Sequence, residues 1–283
     1  MLAGRSPGRV RVAGWVVASL LVFALVAPVA FALGGGADGE YDKRTSSHFV
    51  LYQDVDIDRT SGLRGSRRFE QDVLATLESA FDRLDQRLGL RPTRPIIVTV
   101  HDPAIFDARF AGLFRFPAAG FYGGTVHVRG GTVVDGRLQH TLHHELVHAA
   151  FDSVAPSLFV PAWMNEGLAE YFEARALGKR GLSGREAEVM SRVVAQGRAF
   201  ALADLAGGSF GQLGPDGAAV AYLQSYAFID YLATVAGERR LREWVRDYVR
   251  TGDLDRVTRR IFRADLARLE ADHLAARLLD GPR

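Results

Sequence analysis

Apolar positions recur along the chain with two periods, and the change from one to the other divides it. "HFVLY" at 48–52 and "PIIVTVH" at 95–101 are short, β-branched runs, the second bounded by prolines, and both read as strands. "GGTVHVRGG" at 123–131 alternates between flanking glycines, which predicts an edge strand or one arm of a hairpin. Between the first two runs, Phe69, Val73, Leu77, Phe81, Leu84 and Leu88 fall on one face of a helix over 66–89 that packs on a sheet. After residue 136 the helical period takes over, predicting helices at 137–153, 162–178, 185–198, 216–236, 238–250 and 264–279. No internal repeat is visible. Strands first and helices second make the expected class α+β, with a small strand-rich part (48–135) followed by a mostly helical part (136–283).

One stretch obeys neither period. From Ala13 to Leu33 the chain is apolar and uncharged, behind Arg5, Arg9 and Arg11. Residues 1–33 therefore read as a secretory signal or an N-terminal membrane anchor. Pro28 followed by Ala30-Phe31-Ala32 resembles a cleavage site, while the length suits a membrane span. A buried core helix is a third reading, against which stands the lack of any polar face. In the first two readings the arginines stay cytoplasmic and the remainder is extracytoplasmic, released or held at the membrane. Residues 34–47, "GGGADGEYDKRTSS", read as a linker.

Composition narrows the chemistry. Thirty-five Lys+Arg against 33 Asp+Glu leave a net charge of +2, too little to argue for a nucleic-acid partner. There is no cysteine, so disulfides, thiolate ligands and a lipid-modified cysteine anchor are all excluded. An exported chain without disulfides suggests a bacterial envelope or exterior. Any metal must be held by His, Asp or Glu.

Four of the residues that could hold or serve one lie together in "TLHHELVHAA", 141–150. His144 and His148 are four residues apart and about 40° apart around a helix axis, so both can reach one ion. Leu138, Leu142, Leu146 and Ala149 cluster on the opposite side. Glu145 lies on the flank beside His148, placed to serve a water without binding the metal, which is the mechanical content of H-E-x-x-H. His140 is also four residues before His144, and reads as a neighbour one turn away that supports the site. His143 points about 100° away and reads as a flank or core histidine. Two histidines need a third ligand. In "PAWMNEGLAEYFE", 161–173, Glu166 and Glu170 share a helix face with Glu173 nearby. One carboxylate can bind metal while another accepts a hydrogen bond from a ligand imidazole. An amphipathic helix with acidic residues in its first turn is the plainer alternative.

"HELVH" followed by "WMNEGLAEYF" resembles the gluzincin metallopeptidases, and in particular peptidase MA-like domains related to the aminopeptidase N family. The resemblance implies a zincin-like fold with the active-site helix at the junction of the two parts. It also implies one zinc ion held by His144, His148 and Glu166. Seventeen residues, 149–165, separate His148 from Glu166, one fewer than is usual in the aminopeptidases. "YLQSYAFIDYLATVAG", 222–237, is similar to the segment that carries the family's catalytic tyrosine. Aligned on Leu232 and Gly237 that tyrosine is Tyr222, with Tyr226 in reserve. Gln224 and Ser225 stand where the family has Lys and Gly. The family's G-x-M-E-N segment, whose glutamate holds a free amino terminus, is missing; "GFYGGTVHV" stands there without an acid.

These readings imply peptide-bond hydrolysis of a peptide or protein substrate. Glu145 would be general base, Tyr222 the oxyanion donor and Glu170 the outer partner of a ligand histidine. Gly124, Thr125 and Val126 would begin a strand that pairs with an extended substrate. The rival reading is a non-catalytic zinc-binding or scaffold module of the envelope, and a third is hydrolysis of something other than peptides.

Overall fold

The computed structural model describes residues 41–54, 65–110, 113, 119–131, 133–207 and 210–279. The apolar run at 13–33 lies outside them. Among the described residues no helix is long and apolar enough to cross a membrane.

The chain opens with β1 (Tyr41–Thr45), antiparallel to β2 (Phe49–Asp54). Helix α1 (Gly65–Leu88) then crosses to β3 (Ile96–His101), which pairs parallel with β2. After α2 (Pro103–Phe110) comes a hairpin of β4 (Gly120–Tyr122) and β5 (Val126–Arg129). The sheet order is β1-β2-β3-β5-β4, with β5 parallel to β3. The rest is helical: α3 (Gly136–Val154), α4 (Ala162–Ala176), α5 (Gly184–Ala195), α6 (Pro215–Ala236), α7 (Glu238–Thr251), α8 (Leu254–Phe262) and α9 (Leu266–Leu279). The expected α+β class, a small sheet followed by helices, is the fold observed.

Period-two alternation gives the sheet two faces. Phe49, Leu51, Ile96, Val98, Val100, Val126 and Val128 point into the core shared with the helices. Helix α1 meets them with Phe69, Val73, Leu77, Leu84 and Leu88, all buried. Each such side chain contributes about 1.5–3 kcal/mol relative to exposure, so this seam dominates the exposed ion pairs around it. Phe81, expected on the same stripe, is half-buried and stacks on His48 with ring centroids 3.8 Å apart. On the sheet's other face, Tyr41 Oη lies 2.8 Å from His101 Nδ1, and His101 Nε2 lies 2.9 Å from His127 Nδ1. Phe106 and Phe110 of α2 close over these histidines.

Two expectations change. Residues 41–45, expected within a linker, form the edge strand β1. Their side chains are largely exposed and show no apolar alternation; backbone pairing with β2 makes the strand. "GGTVHVRGG" does supply a hairpin arm, but β5 is not an edge. Val126 pairs with Val98 on one side and Tyr122 on the other, while Gly124 sits in the turn with φ +83°. The edge beside the helices is β4. There a side chain at Gly120 would come within 2.6 Å of Thr141 Cγ2, so only glycine lets the strand lie this close to α3.

In the helical part, His273 of α9 is buried between the rings of Phe228 and Tyr231. Neither of its ring nitrogens has a hydrogen-bond partner among the described residues. Burial, and then Arg277, push its pKa down to about 3. Unfolding restores an ordinary imidazole, so below pH about 6.5 the unfolded chain takes up a proton that the folded chain refuses. Stability therefore falls as pH drops from about 6.5 towards 3. His273→Leu is expected to remove this loss, widening its stability advantage by about 2 kcal/mol between pH 7 and pH 4.5. Urea midpoints at the two pH values measure it; a difference that stays constant with pH would refute it.

Candidate metal centre

Helix α3 starts where Asp135 caps it, its side chain accepting from Leu138 N at 2.8 Å. Its apolar stripe, Leu138, Leu142, Leu146 and Ala149, is buried as the spacing predicts. His144, Glu145 and His148 face the other way, towards α4. Helix α4 has no side-chain cap; instead Ala162 N and Trp163 N donate to the carbonyls of Ala206 and Leu205 at 3.1 and 2.9 Å. These bonds fix the first turn, and Glu166 follows directly after it.

The two helices run antiparallel, and their polar residues meet in register. His148 Nε2 lies 3.5 Å from Glu166 Oε2, and His144 Nε2 lies 3.2 Å from the same oxygen. His144 turns its Nδ1 towards Glu170 Oε1 and Glu173 Oε2, each 3.5 Å away. One turn further, His140 Nδ1 hydrogen-bonds Glu173 Oε1. The imidazoles of His144 and His148 stand nearly perpendicular, with centroids 4.9 Å apart. His148 Nδ1 is buried without a hydrogen-bond partner among the described residues. His143 is turned away, its Nδ1 2.7 Å from the carbonyl of Gln139, as expected of a flanking histidine.

Charge is concentrated here. Burial alone would raise the Glu166 pKa, but His148 and His144 hold its carboxyl well below the usual range. Burial alone would lower the His144 pKa, and Glu166 and Glu173 outweigh it, so the net shift is upward. The same contest, won by Glu166, raises the His148 pKa. Glu145 is pushed up by burial against the opposing pull of His144 and His148. Glu170 is pushed up to about 8 by burial and by the neighbouring Glu173. Glu173 is held low, because hydrogen bonds from His140 and His144 outweigh its burial.

The donor set fits zinc. Two imidazole nitrogens and one carboxylate oxygen converge within 4.8 Å of one another. Ligands on a tetrahedral zinc sit about 3.3 Å from each other, given bonds of about 2.0–2.1 Å, and the spacings of 3.2 and 3.5 Å to Glu166 are close to that. Glu145, although adjacent, does not belong to that cluster.

A third helix closes the site. Gly167 of α4 packs on α6 so tightly that a Cβ there would fall 2.6 Å from Ser225 O. Trp163 and Phe228 flank this crossing, their centroids 5.5 Å apart. The crossing brings Tyr222 over the site, its ring 6.3 Å from that of His144. Burial, then Glu166, Glu170 and Glu145, raise the Tyr222 pKa well above its ordinary value, so its hydroxyl stays protonated. Tyr226 is not an alternative, because it is buried and its hydroxyl donates to Gly181 O at 2.9 Å. Gln224 clamps the backbone of Phe200, accepting from its N–H at 3.0 Å and donating to its carbonyl at 2.6 Å.

Gly124, Thr125 and Val126 do not form the open strand expected of them, since Val126 is paired on both sides. Among the described residues the sheet ends at β4, which is tied to α3 where Tyr122 Oη donates to Asp152 Oδ2 at 2.7 Å. Sequence reasoning also passed over two residues, Glu173 as the partner of His140 and Gly167 as the contact with α6. The spacing of Glu166, Glu170 and Glu173 along one helical face was the available signal for the first.

Residues 76–276 match the family model described as Peptidase MA superfamily. A search of curated proteins found none similar to this chain. Among solved structures, a two-domain M1 zinc metallopeptidase mutant bound to L-tryptophan is similar, with TM-score 0.50 and 14% identity. The match covers 85% of this chain and 52% of that one. An M1 zinc metallopeptidase mutant from Deinococcus radiodurans gives TM-score 0.49 and 13% identity over the same shares. The chain thus spans about half the length of the solved structures it matches.

Proposed function

Because the chain belongs to the Peptidase MA superfamily, we propose that it is an exported zinc metallopeptidase, with one ion held by His144, His148 and Glu166. The observation that carries this is the convergence of His144 Nε2, His148 Nε2 and Glu166 Oε2 between α3 and α4. The apolar run at 13–33 behind three arginines supports export, whether the enzyme is released or stays anchored.

Zinc bound there would polarise a substrate carbonyl and make water a better nucleophile. Glu145 would take the proton of the attacking water and return it to the leaving amine. Its burial suits this, since a carboxyl with a raised pKa holds the proton readily between the two transfers. Tyr222 keeps its hydroxyl proton and can donate it in a hydrogen bond to the developing oxyanion. The edge strand β4, rather than residues 124–126, would take an extended peptide by strand addition.

The test is hydrolysis of labelled casein and a peptide library by the zinc-loaded chain, with and without chelator. Chelator-sensitive cleavage supports the reading. Bound zinc with no cleavage of any peptide would instead favour the non-catalytic module. Within an active enzyme, Tyr222→Phe is expected to lower kcat by about a hundredfold with little change in KM. Unchanged kcat in that variant would remove Tyr222 from the mechanism.

A further inference from the structure

We propose that His140 is a positioning residue of the metal centre: by holding Glu173 it fixes the orientation in which His144 presents Nε2. The proposal rests on the reading of His144, His148 and Glu166 as ligands.

The case begins with a competition. His144 Nδ1 carries at most one proton, yet Glu170 Oε1 and Glu173 Oε2 both lie 3.5 Å from it. Two carboxylates equally near one donor leave the ring free to tilt towards either, and a tilt of the ring moves Nε2 on its far side. Something must favour one of them. Glu173 is tethered from outside, since its other oxygen, Oε1, hydrogen-bonds His140 Nδ1. The carboxylate therefore spans the two histidines, with Oε1 on His140 and Oε2 towards His144.

Helix geometry makes the arrangement rigid. His140, His144 and His148 form a ladder of single turns on α3, and Glu166, Glu170 and Glu173 form the facing ladder on α4. Exposure separates the roles. The His140 side chain is 50% exposed, whereas Glu173 is 14% exposed. An ion pair with one partner half in water contributes little to folding stability. Its effect is on direction: it holds a nearly buried carboxylate in place, and that carboxylate faces a ligand. Outer partners of this kind typically govern metal affinity by about 10–100-fold.

Two variants of the full chain separate positioning from packing. His140→Phe keeps a flat ring but removes the bond to Glu173. His140→Asn places a donor nitrogen where Nδ1 stands. Zinc dissociation into a chromogenic chelator is expected to be about tenfold faster in His140→Phe, and the visible bands of the cobalt-substituted protein are expected to shift. His140→Asn should recover most of both. The metal-free unfolding midpoint should be the same in all three proteins. Wild-type zinc release and cobalt bands in His140→Phe, or equal impairment in both variants, would overturn the proposal. If the wild-type chain itself bound no zinc, the ligand assignment would fail first, and that outcome is visible before either variant is measured.

Discussion

Glu145→Gln is expected to keep stoichiometric zinc and lose hydrolysis by about 10³-fold in kcat, a barrier increase of about 4 kcal/mol. The two halves of that result have separate causes. Glu145 is not one of the three converging donors, so replacing its carboxylate with an amide of the same shape leaves the ligand set intact. The amide cannot accept a proton, and among the described residues no other carboxylate in the cleft is free to do so. Glu166 is the common neighbour of both histidines, and Glu170 and Glu173 lie on the far side of His144. Metal content by elemental analysis, measured beside steady-state kinetics, checks both halves. Activity near wild type in a fully loaded variant would refute the role given to Glu145.

His148→Ala is expected to do the reverse and abolish activity by abolishing the metal. It removes one of only two imidazoles in the donor set, so zinc affinity should fall by more than the 10–100-fold typical of losing an outer partner. It also removes the largest charge holding the buried Glu166 carboxylate down. The variant should therefore be somewhat less stable as well, since a buried carboxylate left with fewer partners is costly. Stoichiometric zinc in purified His148→Ala would sink the ligand assignment.

How much of this was legible depended on how local each feature is. His144, Glu145, His148 and Glu166 could be read because each pair is fixed by helical spacing, and both helices were visible in the apolar period. The helix expected at 137–153 spans 136–154, and the one expected at 162–178 stops at Ala176, just before Gly178 at φ +86°. Gly237, at φ +88°, separates α6 from α7 where the sequence predicted the break. The position of Tyr222 was legible only through a resemblance, since its place over His144 depends on how α6 crosses α4 at Gly167. The substrate strand was misplaced for a similar reason. Nothing in "GGTVHVRGG" tells which strand ends the sheet, because sheet order is a long-range property. Helix α8 was missed although Leu254, Val257, Ile261 and Phe262 recur at helical spacing, because its nine residues make only about two and a half turns. Strand β1 has still less local signal, being polar and set by its long-range pairing with β2 and by the bonds of Tyr41 to His101 and Arg44 to Glu70.

The two margins of the sheet are protected differently. β1 presents Asp42, Lys43 and Arg44 to solvent, the usual defence against stray pairing with other chains. β4 has no charge along Gly-Phe-Tyr. Its safeguard is geometric: three residues long and pressed against Thr141 at Gly120, it is too short a template for copies to stack. Charge placed along β4 to improve solubility would therefore add little protection.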